Sequence, residues 1–254
     1  AWSKQTQGLL AVGNNQGKIS IWSESGGSFI LNSSFEAHSD SIEDIVFSPN
    51  EDGIFACCTC GGFIEIWDLR DLSHPSLKFQ PYECDCNVID WNPSNASALV
   101  SGSDEGIVSV WDFRALRATP NPNPSGKIEY HTDAITSVEW NPYDDFEFAC
   151  ASADGRVTVW DLSVEPEDPD EKEEGIPDQL MFEHYHDDPK ELHYHPQIPS
   201  MIAVIGETFD VFIPDIEGDD GDEAVPPEGV ELHPREENDE KPQEDQSEQE
   251  EPTE

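Results

Sequence analysis

The chain has 254 residues, with 12 Lys and Arg against 56 Asp and Glu and a formal net charge of −44. So large an imbalance predicts a basic partner. It works against nucleic acid and anionic membranes, because twelve scattered cations form no stripe able to neutralise phosphates or headgroups. No apolar run approaches the roughly 18 residues of a membrane span, and the opening AWSKQTQGLL lacks the cationic start and apolar core of a signal peptide.

In chain order, the same short text keeps returning. Ala1-Trp2-Ser3-Lys4 stands 18 residues before Trp22, counted from Lys4, and GKISIWS follows. Next come VFSP ending at Pro49 and GFIEIWD, then IDWNP ending at Pro93 and GIVSVWD, then VEWNP ending at Pro142 and GRVTVWD. Trp22, Trp67, Trp111 and Trp160 are 45, 44 and 49 residues apart, and each follows a glycine by five (Gly17, Gly62, Gly106, Gly155). Pro49, Pro93 and Pro142 each precede their tryptophan by 18. The last unit has LHYHP ending at Pro196, and Phe212 in the tryptophan slot only 16 residues later. Apolar residues alternate within these runs, as Val157 and Val159 do against Arg156 and Thr158, and Gly, Asn and Asp bound them. The pattern predicts short antiparallel strands, four to a unit of about 40 to 45 residues, the signature of a propeller blade.

On these motifs residues 1–213 resemble the WD-repeat family. The resemblance implies an all-β fold, a WD40-type β-propeller with about five of seven blades at 1–35, 36–79, 80–130, 131–182 and 183–213. The chain is then expected to be the C-terminal part of a longer protein, monomeric in that parent and begun in the middle of a repeat. Exposed strand edges on so open an arc predict poor solubility for residues 1–213 alone. The family's structural tetrad matches best at His131, Ser152, Asp154 and Trp160. His38 fits the loop histidine, but Gly61 and Glu105 replace its aspartate partner and Tyr82 replaces the next histidine, so those blades are expected to rely on packing more than on polar staples.

Between the fourth unit and the fifth lies an insert. Glu165, Glu167, Asp168, Asp170, Glu171, Glu173, Glu174 and Asp178 stand there against one lysine, Lys172. Long loops on rigid scaffolds carry function, although a solvated linker would tolerate the same charge. The insert, with FEAHSDSIEDIVFSP, AITSVEWNPYDD and KELHYHPQIP, resembles the branch shared by histone-binding chromatin proteins and the glutamate-rich WD-repeat proteins of ribosome assembly, closest to the latter. That resemblance implies a non-enzymatic chaperone for a basic large-subunit ribosomal protein, in nucleus and nucleolus and also cytoplasm. It assigns the eight insert carboxylates to client binding, with Pro177, Leu180 and Phe182 as an apolar shoulder. The alternative is a histone-binding chromatin adaptor taking a histone H4 helix.

No nucleophile elbow, phosphate loop or two-histidine zinc helix is present, so no catalytic residue, cofactor or metal is expected. Cys58, Cys60, Cys84 and Cys86 form CxC pairs, weaker zinc signals than two-residue spacing, and read as core residues. His184, His186, His193 and His195 form two HxH pairs, the second filling the strand slot of IDWNP. The tail, 214–254, has eighteen acids, two cations and no Phe or Trp, which predicts disorder.

Overall fold

The computed structural model describes residues 1–116, 123–165 and 176–215, and these form five antiparallel sheets in chain order. The first holds β1 (Leu9–Gly13), β2 (Lys18–Ser25) and β3 (Ser28–Glu36). The second holds β4 (Ile42–Phe47), β5 (Ile54–Thr59), β6 (Ile64–Asp68) and β7 (Leu77–Phe79). The third has β8 (Cys86–Trp91), β9 (Ala98–Ser103), β10 (Ile107–Asp112) and β11 (Gly126–Glu129), with one helical turn, α1 (Phe113–Leu116), after β10. The fourth has β12 (Ile135–Trp140), β13 (Glu147–Ser152), β14 (Arg156–Asp161) and β15 (Leu180–Tyr185), and the fifth β16 (Glu191–Tyr194), β17 (Ile202–Ile205) and β18 (Phe209–Phe212). In the slot that the repeat assigns to a leading strand, Trp2 bridges Leu10 of β1. No helix among the described residues is long and apolar enough to cross a membrane.

Within each sheet every strand after the first pairs with the one before it, and each core lies between consecutive sheets. Leu9, Ile19 and Ile21 pack with Ile45, Phe55 and Cys57; Ala56, Cys58 and Ile64 pack with Cys86, Ile89 and Leu99. Val108 and Val110 meet Ile135, Phe148 and Trp160, and Ala151, Val157 and Val159 meet Leu192, Ile202 and Val204. A strand such as β5, with Phe55 and Cys57 on one side and Ala56 and Cys58 on the other, is therefore apolar on both faces. Its cysteines fill narrow space between sheets.

The periodic glycines have a steric cause. Gly17 and Gly62 sit in hairpin turns at φ of 75° and 73°, and a Cβ would stand 1.9 Å from the His38 carbonyl oxygen at the first and 2.3 Å from that of Tyr82 at the second. The loop entering the next sheet presses on each turn, so only glycine fits. The amides of Ala37 and His38 donate to the Gly17 carbonyl across that contact. Turns and entering loops are thereby gathered at one end of the sheets.

Candidate functional site

That end is built from loops, and its buried layer is polar. At the fourth sheet the His131 ring lies 3.1 Å through Nδ1 from Asp154 Oδ2 and 3.0 Å through Nε2 from Thr158 Oγ1, which also accepts the Trp160 indole N–H at 2.7 Å. Ser152, expected in this chain, stands outside it: its hydroxyl donates to the Asp133 carbonyl at 2.9 Å and accepts the Asp154 amide at 3.2 Å. The β13–β14 register explains the exchange, because Thr158 lies opposite Cys150 within the ladder while Ser152 faces Arg156 at its end. Burial alone would lower the His131 pKa, but the Cys150 thiol and Asp154 outweigh it and raise it.

The neighbouring sheets, expected to rely on packing more than on polar staples, carry polar contacts of other composition in the same places. Gly61 leaves room for Asp40, whose Oδ2 would be 2.5 Å from a Cβ there and is 3.1 Å from His38 Nδ1. The bond there is the Asp40 amide donating to His38 Nδ1 at 3.1 Å, with the carboxylate alongside. Fully buried Glu65 takes the hydroxyl's place, accepting the Trp67 indole N–H at 3.0 Å and the Lys78 ammonium at 2.7 Å. In the third sheet Tyr82 and the Trp111 indole both reach the Ser101 hydroxyl, at 2.7 and 2.9 Å. At the fifth sheet Gly206 occupies the aspartate slot, and buried His186 Nδ1 has no hydrogen-bond partner among the described residues.

A second polar series ties the innermost strands together and went unnoticed in the sequence. Asp44 on β4 accepts the Ile89 amide of β8 at 3.1 Å, Asp90 on β8 accepts the Trp140 amide of β12 at 2.8 Å, and Glu139 on β12 accepts the Tyr194 amide of β16 at 3.3 Å. His193 on β16 also lies 2.8 Å from Glu139, a contact that raises its pKa. Desolvation pushes the carboxyl of Asp44 up to about 6 and that of Asp90 up to about 7. The recurring acid three places before Pro93 and Pro142 was the available signal.

Above these layers the exposed surface is acidic. Glu43, Glu83, Asp85, Asp104, Glu105, Asp133, Asp187, Asp188 and Glu207 all lie exposed on loops or strand starts at this end, with Asp40 half-buried among them. The Asp104 amide donates to the Asp85 carbonyl, and the Glu207 amide to that of Asp187, so turn and loop acids are held side by side. The Asp85 carboxyl is pushed up by desolvation and then by the nearby charges of Asp104 and Glu43, which come from two different sheets. This face is suited to cations.

Of the insert carboxylates, Glu165 is exposed and Asp178 half-buried, while Glu167, Asp168, Asp170, Glu171, Glu173 and Glu174 lie outside the described residues. So does most of the tail, 216–254. The insert's two roots are tied together by the Asp161 amide on the Gln179 carbonyl and the Gln179 side chain on that of Val164. Leu180 and Phe182 belong to β15 and pack against the third-to-fourth and fourth-to-fifth sheet cores. The HxH pairs are spread out. His184 stacks on Phe212, His186 meets Thr208, His193 meets Glu139, and His195 Nδ1 accepts the amides of Gln197 and Ile198.

The family described as WD domain, G-beta repeat matches residues 29–68, 74–112 and 122–161. Protein HEAT STRESS TOLERANT DWD 1 of Arabidopsis thaliana is 36% identical over 228 residues, covering 84% of this chain and 48% of that protein. Ribosome assembly protein rrb1 of Schizosaccharomyces pombe is 33% identical over 213 residues, covering 80% of this chain and 44% of that protein. The chain spans about half the length of these relatives. A chain from a crystal structure of the mitotic checkpoint complex superposes with a TM-score of 0.65 at 17% identity, over 80% of this chain and 55% of that one, a likeness of fold alone.

Proposed function

This chain carries WD40 repeats, and on that premise we propose that it is a non-enzymatic scaffold that shields a basic large-subunit ribosomal protein during ribosome assembly. The supporting observation is the run of exposed carboxylates that recurs on loop after loop at one end, held by a rigid polar layer beneath. Like charges fixed so close repel one another, and a cationic segment relieves that repulsion. The 33% identity to a ribosome assembly protein over four fifths of the chain supports a role in ribosome assembly. The insert from Glu165 to Asp178, whose roots Asp161 and Leu180 lie at the other end of β14 and β15, is a second acidic segment offered to the same client, and such work belongs in the nucleus and nucleolus.

Binding of this kind is steered by charge and weakens with salt, since exposed charges are screened beyond about 8 Å at physiological ionic strength. Two variant sets are compared with the parent chain: Glu43→Gln, Asp85→Asn, Asp104→Asn on the loop face, and Glu167→Gln, Asp168→Asn, Glu171→Gln, Glu173→Gln, Glu174→Gln in the insert. Each is expected to slow association with purified basic large-subunit ribosomal proteins and to flatten its salt dependence, with folding intact. An unchanged salt slope in the second set would reduce the insert to a linker. Tighter binding of a histone H4 helix peptide than of any ribosomal protein would move the client to chromatin.

A further inference from the structure

Away from the acidic loop face, the third and fourth sheets part to leave a groove of about 470 Å³. Trp111, Trp140, Trp160 and Val110, all buried, line it together with the more accessible Ile128, Phe146, Leu162 and Pro177. Phe146 is 54% exposed at the groove's margin. The volume falls within the range of pockets that hold a ligand group. Leu162 lies on the chain entering the acidic insert and Pro177 on the chain leaving it, so the groove opens at the insert's base.

Its charged groups are unevenly matched. Asp112 is paired with Arg114 and Glu129 with Lys127, but the Asp145 carboxylate on the rim has no hydrogen bond or ion pair among the described residues. Glu165 is exposed beyond Leu162. An apolar floor edged by unneutralised carboxylates suits a cationic chain that carries an apolar side chain among its lysines and arginines.

We propose that this groove seats one Leu- to Phe-sized side chain of the basic client between Phe146 and Pro177, with an adjacent lysine or arginine on Asp145. The inference rests on the basic-client reading and adds to it a contact that salt does not screen. The charged surface then sets the encounter rate, and the groove sets how long the client stays.

The test uses two labelled twelve-residue peptides of equal positive charge, one with a central Phe and one with Ser in its place. With the 254-residue chain at 0.15 M salt, the Phe peptide is expected to bind about ten- to a hundredfold more tightly, the effect of withdrawing one large apolar side chain from water. Gly126→Leu would fill the groove, since a Cβ at Gly126 meets only Val110, at an ordinary 3.7 Å. Phe146→Ser removes a rim side chain that is already half in solvent. Either variant is expected to bring the two peptides to equal affinity while Ser-peptide binding stays as it was. Equal binding of both peptides to the parent chain, or a Phe preference that survives in both variants, overturns the groove and leaves the basic-client reading standing. Failure of both peptides to bind the parent chain overturns the two together.

Discussion

Replacing Lys78 by Met is expected to lower stability by about 2 to 3 kcal/mol, a fall of roughly 6 to 10 °C in Tm for a domain of this size. The Glu65 side chain is 1% exposed and holds two donors, the Trp67 indole and the Lys78 ammonium, with His38 Nε2 at 3.9 Å. Without the lysine a buried carboxylate keeps one neutral hydrogen bond and no close ammonium. Breaking one partner of a buried pair costs about 3 to 5 kcal/mol, and the loss here falls at or just below the lower figure because Lys78 is 39% exposed and admits water. Methionine retains the stem that lies over the Phe63 ring. The double replacement Lys78→Met, Glu65→Thr copies the neutral Thr158 arrangement and is expected to recover most of the loss. Denaturant melts of the four chains give the coupling directly. A single Lys78→Met variant as stable as its parent would show that Glu65 does not depend on the lysine.

Stability is also expected to fall as pH rises from 5.5 to 8. A carboxyl whose pKa is higher in the folded chain than in the unfolded one keeps its proton preferentially when folded. Its contribution is full at low pH and is lost as pH climbs from about 4, the unfolded value, through the folded values of about 6 for Asp44 and about 7 for Asp90. His131 and His193, whose pKa values are raised, act in the same direction, as does the formal charge of −44. For Asp90 alone the change between pH 5.5 and 8 is about 2 kcal/mol, or about 5 °C. Asp90→Asn keeps a side-chain oxygen for the Trp140 amide and cannot ionise. It is expected to raise Tm at pH 8 and to shorten the rise on acidification. Scanning calorimetry at the two pH values decides, and equal destabilisation by Asp90→Asn at both would show that ionisation of this carboxyl is not what weakens the fold.

What could be read in the sequence was whatever backbone stereochemistry fixes locally. Gly17 and Gly62 announce positive-φ turns under a pressing loop, and the alternation around Trp67, Trp111 and Trp160 announces strands. The polar layer was harder to read, because its members meet only through register and loop placement. Nothing near Gly61 in the chain signals that Asp40 will fill its space, and Thr158 takes the place expected of Ser152 because the β13–β14 ladder sets it beneath the histidine. The groove was equally hidden, since its walls come from strand ends far apart in sequence.

Each core shared by two adjoining sheets couples the units that contribute to it. The second sheet gives Phe55 and Cys57 to one neighbour and Ala56 and Cys58 to the other, whereas the first and fifth each share a core with one neighbour among the described residues. Free energy in such an array is a sum of unit and nearest-neighbour terms. Amide protons are then best protected in the second to fourth sheets and exchange faster toward the first and fifth. A lesion at one interface is then felt most by the units on either side of it, and amide exchange sheet by sheet shows where the loss falls.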